Sequence, residues 1–114
     1  LMTGLAPKVI AARGGNPFYS HNLRRLLLDA GFARTEGHAV AAEYYGTLEE
    51  TRRYAAIATR LMQNLELRQF AVAQELASAE ELDTMVVEAQ AWGERPDAFA
   101  AVMYCAALGW VDGV

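Results

Sequence analysis

The chain has 114 residues, of which 54% are hydrophobic and 21% charged, a balance that fits one folded domain or part of one and excludes a disordered polyelectrolyte. Its net charge of −4 and pI near 5.1 argue against a nucleic-acid surface, because the basic residues are scattered or paired (Arg24–Arg25, Arg52–Arg53) and answered by nearby acids. No apolar stretch is long enough to cross a bilayer, and one cysteine and two histidines give neither an internal disulfide nor a zinc spacing, so a soluble cytoplasmic protein is expected.

Leu5 to Ala12 reads as the end of a helix, with Pro7 near a first turn and Val9 and Ile10 on one side. Arg13-Gly14-Gly15-Asn16-Pro17 stops it, since two glycines free the backbone and Pro17 cannot continue a helix. Ser20 is expected to cap a helix running to about Ala30, with Leu23, Leu26, Leu27 and Ala30 as its apolar stripe and Gly31 as the residue that closes it. Phe32 to Tyr45 follows. Bulky or polar Phe32, Arg34, Glu36 and His38 alternate there with small Ala33, Thr35 and Gly37, the period of two of a strand with one closely packed face.

Thr47-Leu48-Glu49-Glu50 is a capping box and opens the clearest helical region, with Leu48, Ala55, Ala58, Met62 and Leu65 on the buried side. After a break near Asn64, a second helix from about Glu66 to Leu76 turns Leu67, Phe70 and Ala71 inward. Ser78-Ala79-Glu80-Glu81 is another capping box. Its helix carries Leu82, Met85, Val86, Ala89 and Trp92 on one face and closes at Gly93, before Pro96. The last segment, Arg95 to Trp110, has no charge after Asp97 and is expected to be buried on both faces, Cys105 included as a small hydrophobe. Its alanines favour helix, while Phe99, Val102, Tyr104 and Trp110 suit a strand, and periodicity alone leaves that choice open.

No catalytic constellation emerges from these residues. Glu43-Tyr44-Tyr45 ends a strand, where an aromatic pair would either line an apolar pocket or place one ring in the core and one at its rim. His38 has no carboxylate or nucleophile assigned to it by spacing, and the acids of Glu80, Glu81, Asp83 and Glu88 read as caps and a solvated helix face. Trp92 reads as the anchor of its helix.

Four segments in order, Arg13-Gly-Gly-Asn-Pro-Phe-Tyr19, Asn22-Leu-Arg-Arg-Leu-Leu-Leu-Asp-Ala-Gly-Phe32, Tyr45-Gly-Thr-Leu-Glu-Glu50, and Trp92-Gly-Glu-Arg-Pro-Asp-Ala-Phe99 with Ala107-Leu-Gly-Trp110, resemble the C-terminal third of class I S-adenosylmethionine-dependent methyltransferases. The closest group is the bacterial one related to ubiquinone and menaquinone biosynthesis, and the resemblance covers nearly the whole chain. It implies an α/β fragment of about five helices with an antiparallel strand pair, the last two strands of a doubly wound sheet. Residues 1–114 would form a single C-terminal segment, with 46–94 a helical insertion on the substrate side, and Ala98–Trp110 would contain a strand. The resemblance also implies a small-molecule substrate. For its contacts we nominate, from composition and position, Tyr19, Tyr44, Tyr45 and Trp92 as pocket-lining aromatics and Arg13 and Asn16 as polar contacts.

The chain departs from that family in one respect. The glycine-rich loop that grips the methyl donor has no counterpart, because the glycines never give a Gly-x-Gly spacing. No cofactor-binding or catalytic residue is therefore carried over, no S-adenosylmethionine binding is expected of this chain alone, and the chain is expected to be a piece of a longer protein. An apolar strand with an unpaired edge is an adhesion site, so the expected partner is a second copy or the missing N-terminal half. A free-standing, mostly helical dimerisation module is the alternative, with 98–108 helical.

Overall fold

The computed structural model describes residues 2–112, with side chains from Gly4 onward. The elements are α1 (Met2–Ala12), α2 (Tyr19–Asp29), β1 (Arg34–Tyr45), α3 (Leu48–Gln63), α4 (Leu65–Ala73), α5 (Ala79–Gly93) and β2 (Ala100–Trp110). Among the described residues the architecture is thus the expected one, five helices and one antiparallel strand pair, and the final apolar run is a strand. The elements fall into two compact units, one of the residues up to Pro17 with Tyr44–Ala100, the other of Phe18–Glu43 with the residues from Ala101 onward.

The first unit is a helical block made of α1, α3, α4 and α5. Thr47 and Ser78 each close a full capping box, the hydroxyl accepting from the N3 backbone N–H while Glu50 or Glu81 accepts from the cap backbone. Asn64 ends α3 in an extended conformation and begins α4, its side chain accepting from the Leu67 N–H. That redirection explains why Leu65, expected inside, is exposed: it starts a new helix and no longer extends the α3 stripe. Leu48 sits at the first helical position of α3 and is exposed for the same kind of reason. The core consists of Leu5, Val9, Met62, Ala71, Ala77, Leu82 and Met85, with Leu67, Phe70, Val86 and Ala89 packed around it. In α1 the buried pair is Leu5 and Val9, four residues apart, and Ile10 faces outward; the helix runs back to Met2, as a segment read as a helix end requires, so Pro7 lies inside it and not near its first turn.

Gly93 does close α5, but for a reason different from a left-handed turn. Its φ is not positive, and a Cβ there would lie 2.6 Å from the Ala55 Cβ and 3.2 Å from the Thr51 carbonyl oxygen. The missing side chain lets α5 lie directly on α3. The buried Thr51 hydroxyl donates to the Gly93 carbonyl oxygen (3.0 Å) and fixes the crossing.

The second unit contains α2 and most of the strand pair. The N-cap of α2 is Phe18 and makes no side-chain cap; Ser20, expected as the cap, lies within the first turn. At the other end Gly31 (φ +98°) completes a Schellman closure, its N–H bonding the Leu28 carbonyl and the Phe32 N–H bonding that of Leu27. Phe32 then packs where a Gly109 Cβ would be, 2.7 Å away, and the Ala33 N–H donates to the Trp110 carbonyl oxygen (2.8 Å). The start of β1 therefore lies beside the end of β2. Thr35 is buried and accepts from Arg24 Nε (3.1 Å), and the Arg24 stem covers Gly37, so α2 lies on the Thr35–Gly37 face of β1.

Strands of 12 and 11 residues make a ribbon roughly 35–40 Å long. The expectation that its apolar run is buried on both faces is not met within this chain. Met103 is 66% exposed, Val40, Tyr104 and Leu108 are exposed, and so is Cys105. The physical cause is the strand count: with two strands, one short helix covers only part of one face, and each strand has an edge with no strand beside it among the described residues.

Candidate functional site

The nominated substrate residues divide between the two units. In the helical unit, Tyr45 is 8% exposed, and its ring lies 4.6 Å from that of Tyr54 on α3. Tyr54 in turn meets Trp92 of α5 edge-on at 5.7 Å. Aromatic pairs of this geometry contribute about 0.5–1.5 kcal/mol beyond simple area burial. The Arg53 guanidinium stands 5.7 Å from the Tyr45 ring centre, where it is attracted to the π-face. So Tyr45 and Trp92, 47 positions apart in the numbering of the chain, belong to one aromatic cluster through a residue the sequence reading did not single out. The signal for Tyr54 was present: Thr51, Tyr54, Ala55, Ala58 and Met62 follow helical spacing on a single stripe.

Immediately after Tyr45 the strand turns into α3, and Glu50 holds the turn. Its carboxylate accepts from the Gly46 N–H (2.9 Å) and the Thr47 N–H (3.1 Å), which keeps it below the ordinary carboxylate range. The ring of Phe99 passes 3.6 Å from where a Gly46 Cβ would sit, so the end of β1 and the approach to β2 meet beside the aromatic cluster.

The other nominated residues stand apart from this cluster or in open positions. Tyr44, the neighbour of Tyr45, is 65% exposed, since strand neighbours point to opposite faces. Arg13 lies 4.7 Å over the Phe70 ring, which occupies its guanidinium with a helix-core contact. Asn16 is exposed in the loop after α1. Tyr19 is exposed at the start of α2, in the second unit.

On the ribbon, alternation places Arg34, Glu36 and His38 on one face. Arg34 donates to Glu36 (2.8 Å), His38 Nε2 lies 3.5 Å from the other Glu36 oxygen, and the Arg34 guanidinium stacks 3.8 Å from the Trp110 ring centre. That cluster pairs a histidine with a carboxylate, but no nucleophile faces it in the contacts described. The remaining shifted acids are Glu94, held down by Arg52, and Asp97, held down by Arg95. Both shifts run opposite to what a general acid near neutrality needs. Gly14 and Gly15 sit in a turn after a helix, not between a strand and a helix, so no step of methyl transfer is assigned to them. Among the described residues no helix is long and apolar enough to cross a membrane. No family model, curated protein or solved structure matches the chain.

Proposed function

We propose that this chain is the substrate-side C-terminal segment of a cytoplasmic, S-adenosylmethionine-dependent small-molecule methyltransferase, inactive without a cofactor-binding half. One observation supports it above the others: the final apolar segment pairs antiparallel with the strand that follows α2, and the helical block α3–α5 lies between the two in the chain. This is the element order the resemblance implies. The alternative dimerisation module needs residues 98–108 in a helix, and β2 occupies Ala100–Trp110.

In this reading the segment contributes shape and contacts, and the methyl donor is held elsewhere. Within the helical unit Trp92 supplies apolar ring surface backed through Tyr54 by the buried Tyr45; Tyr44 and, in the second unit, Tyr19 carry exposed rings with hydroxyls, and Arg13 and Asn16 are the nominated polar contacts. Their role is positioning, which is the principal source of rate in the direct displacement of a methyl group by a bound nucleophile. The open edges of the ribbon supply the docking surface, for the missing half or for a second copy.

The test has two parts. Translation of the DNA upstream of the Leu1 codon is expected to give an open frame with a glycine-rich strand–loop–helix, and the extended protein is expected to bind S-adenosylmethionine in calorimetry while residues 1–114 do not. An in-frame stop directly upstream, or cofactor binding by this chain alone, overturns the proposal.

A further inference from the structure

The helical unit carries a concavity whose lining includes none of the aromatic cluster's rings. It is a groove of about 320 Å³ between α3 and α5, lined by Arg52, Thr59, Arg60, Gln63, Gln90 and Glu94 over a floor of Ala55, Ala56 and Gly93. The small floor residues create it, since they bring the two helices together and leave no side chain to fill the space above. That volume is at the lower end of small-molecule sites.

Thr59 is the observation that points to a ligand. A threonine inside a helix ordinarily gives its hydroxyl to a carbonyl one turn back. Thr84 does so to Glu80 (3.0 Å), and the Thr51 hydroxyl is satisfied across the helix crossing by Gly93. Thr59 is 8% exposed, lines the groove, and its hydroxyl has no hydrogen-bond partner among the described residues. A buried hydroxyl without a partner is rare enough to require a reason.

The charges around it indicate which ligand fits. Arg52 is taken up by a two-pronged bond to Glu94 (2.9 and 2.8 Å), so that pair is neutral as a unit. Arg60, two turns further along α3, makes no ion pair among the described residues. The groove therefore has one positive charge without an ion-pair partner among the described residues, two amide side chains able to donate and an apolar floor, and the partnerless Thr59 hydroxyl lies closed off within its wall, one side-chain rotation away. We propose that it binds a small organic monoanion, a carboxylate held by Arg60, Gln63 and Gln90 with Thr59 rotating to join them, its short apolar body lying over Ala55, Ala56 and Gly93. A dianion is disfavoured by the Glu94 carboxylate at the other end of the groove.

The site is independent of the methyltransferase reading, and so is its test, which uses no methyl donor. Benzoate, benzamide and inorganic phosphate are titrated separately into the full 114-residue chain and followed by amide chemical shifts. Benzoate is expected to give saturable millimolar shifts confined to residues 52–63 and 90–94, with benzamide and phosphate at least tenfold weaker. Arg60→Ala is expected to weaken benzoate at least tenfold. Thr59→Val, which keeps the side-chain shape, is expected to weaken it at least threefold without lowering the melting temperature. Linear shifts without saturation, shifts outside the groove, equal response to benzamide or phosphate, or benzoate binding unchanged in Arg60→Ala or Thr59→Val overturns the proposal.

Discussion

Replacing Gly93 by alanine tests how tightly α5 is bound to α3. The new Cβ would sit 2.6 Å from that of Ala55, where carbon atoms at rest are about 3.5–4.0 Å apart. Neither atom can swing away, because both are fixed to helix backbone, so the helices must part by roughly 1 Å. Overpacking of this kind costs about 1–3 kcal/mol. Lengthening the Thr51–Gly93 hydrogen bond removes about 1 kcal/mol more. Alanine's better helix propensity offsets about 1 kcal/mol. The expected net loss is about 2 kcal/mol, or a fall in melting temperature of about 8 °C for a chain of this size. Urea unfolding followed by helical circular dichroism measures it. Ala55→Gly in the same chain should recover part of the loss, because it removes the atom that is struck; the coupling in the double-mutant cycle should be favourable by about 1 kcal/mol or more. A Gly93→Ala variant as stable as the parent would refute the close-contact argument.

Glu75 closes α4 at φ +55°, a left-handed conformation that glycine takes without cost, so Glu75→Gly should raise stability by about 1 kcal/mol in the same urea assay. Leu82→Ala, at a fully buried position, should cost about 3 kcal/mol, while Leu65→Ala, at a site the sequence alone places inside and the structure places outside, should change stability by less than about 0.5 kcal/mol. The backbone N–H groups of Gly46 and Thr47 stabilise ionised Glu50, and a carboxyl with a depressed folded-state pKa stabilises the fold above its unfolded value. That contribution is full above about pH 4.5 and is lost as pH falls below it; thermal melts from pH 6 to pH 3 should show a smaller acid loss for Glu50→Gln than for the parent.

Local chemistry made several features legible in the sequence. Both capping boxes follow from side chains acting on their own backbone, the Gly31 closure of α2 from the lack of one at φ +98°, and the strand character of 34–45 from local alternation. Features decided by tertiary partners were less legible. Gly93 reads in sequence as a helix stop, yet its role is contact with Ala55, a residue 38 positions earlier. The strand identity of residues 100–110 needed the resemblance, because an apolar run rich in alanine satisfies either period. The burial expected of that run failed because burial depends on the number of layers around a strand, and composition does not carry that number. For the aromatic cluster the sequence offered Tyr45 and Trp92 but not the ring that joins them, since Tyr54 reads as one more member of a helix face. Thr59 left no sequence signal at all; its hydroxyl is unusual only for the bond it does not make.

The functional account rests on the pairing of β1 with β2, and that pairing can be read at one hydrogen bond. A through-bond scalar coupling between the Ala33 amide nitrogen and the Trp110 carbonyl carbon is predicted, together with close Hα–Hα contacts between 34–45 and 100–110. Sequential amide–amide contacts and Hα-to-amide contacts three residues apart through 98–108, with no coupling from Ala33, would mean a helical tail and would contradict the account.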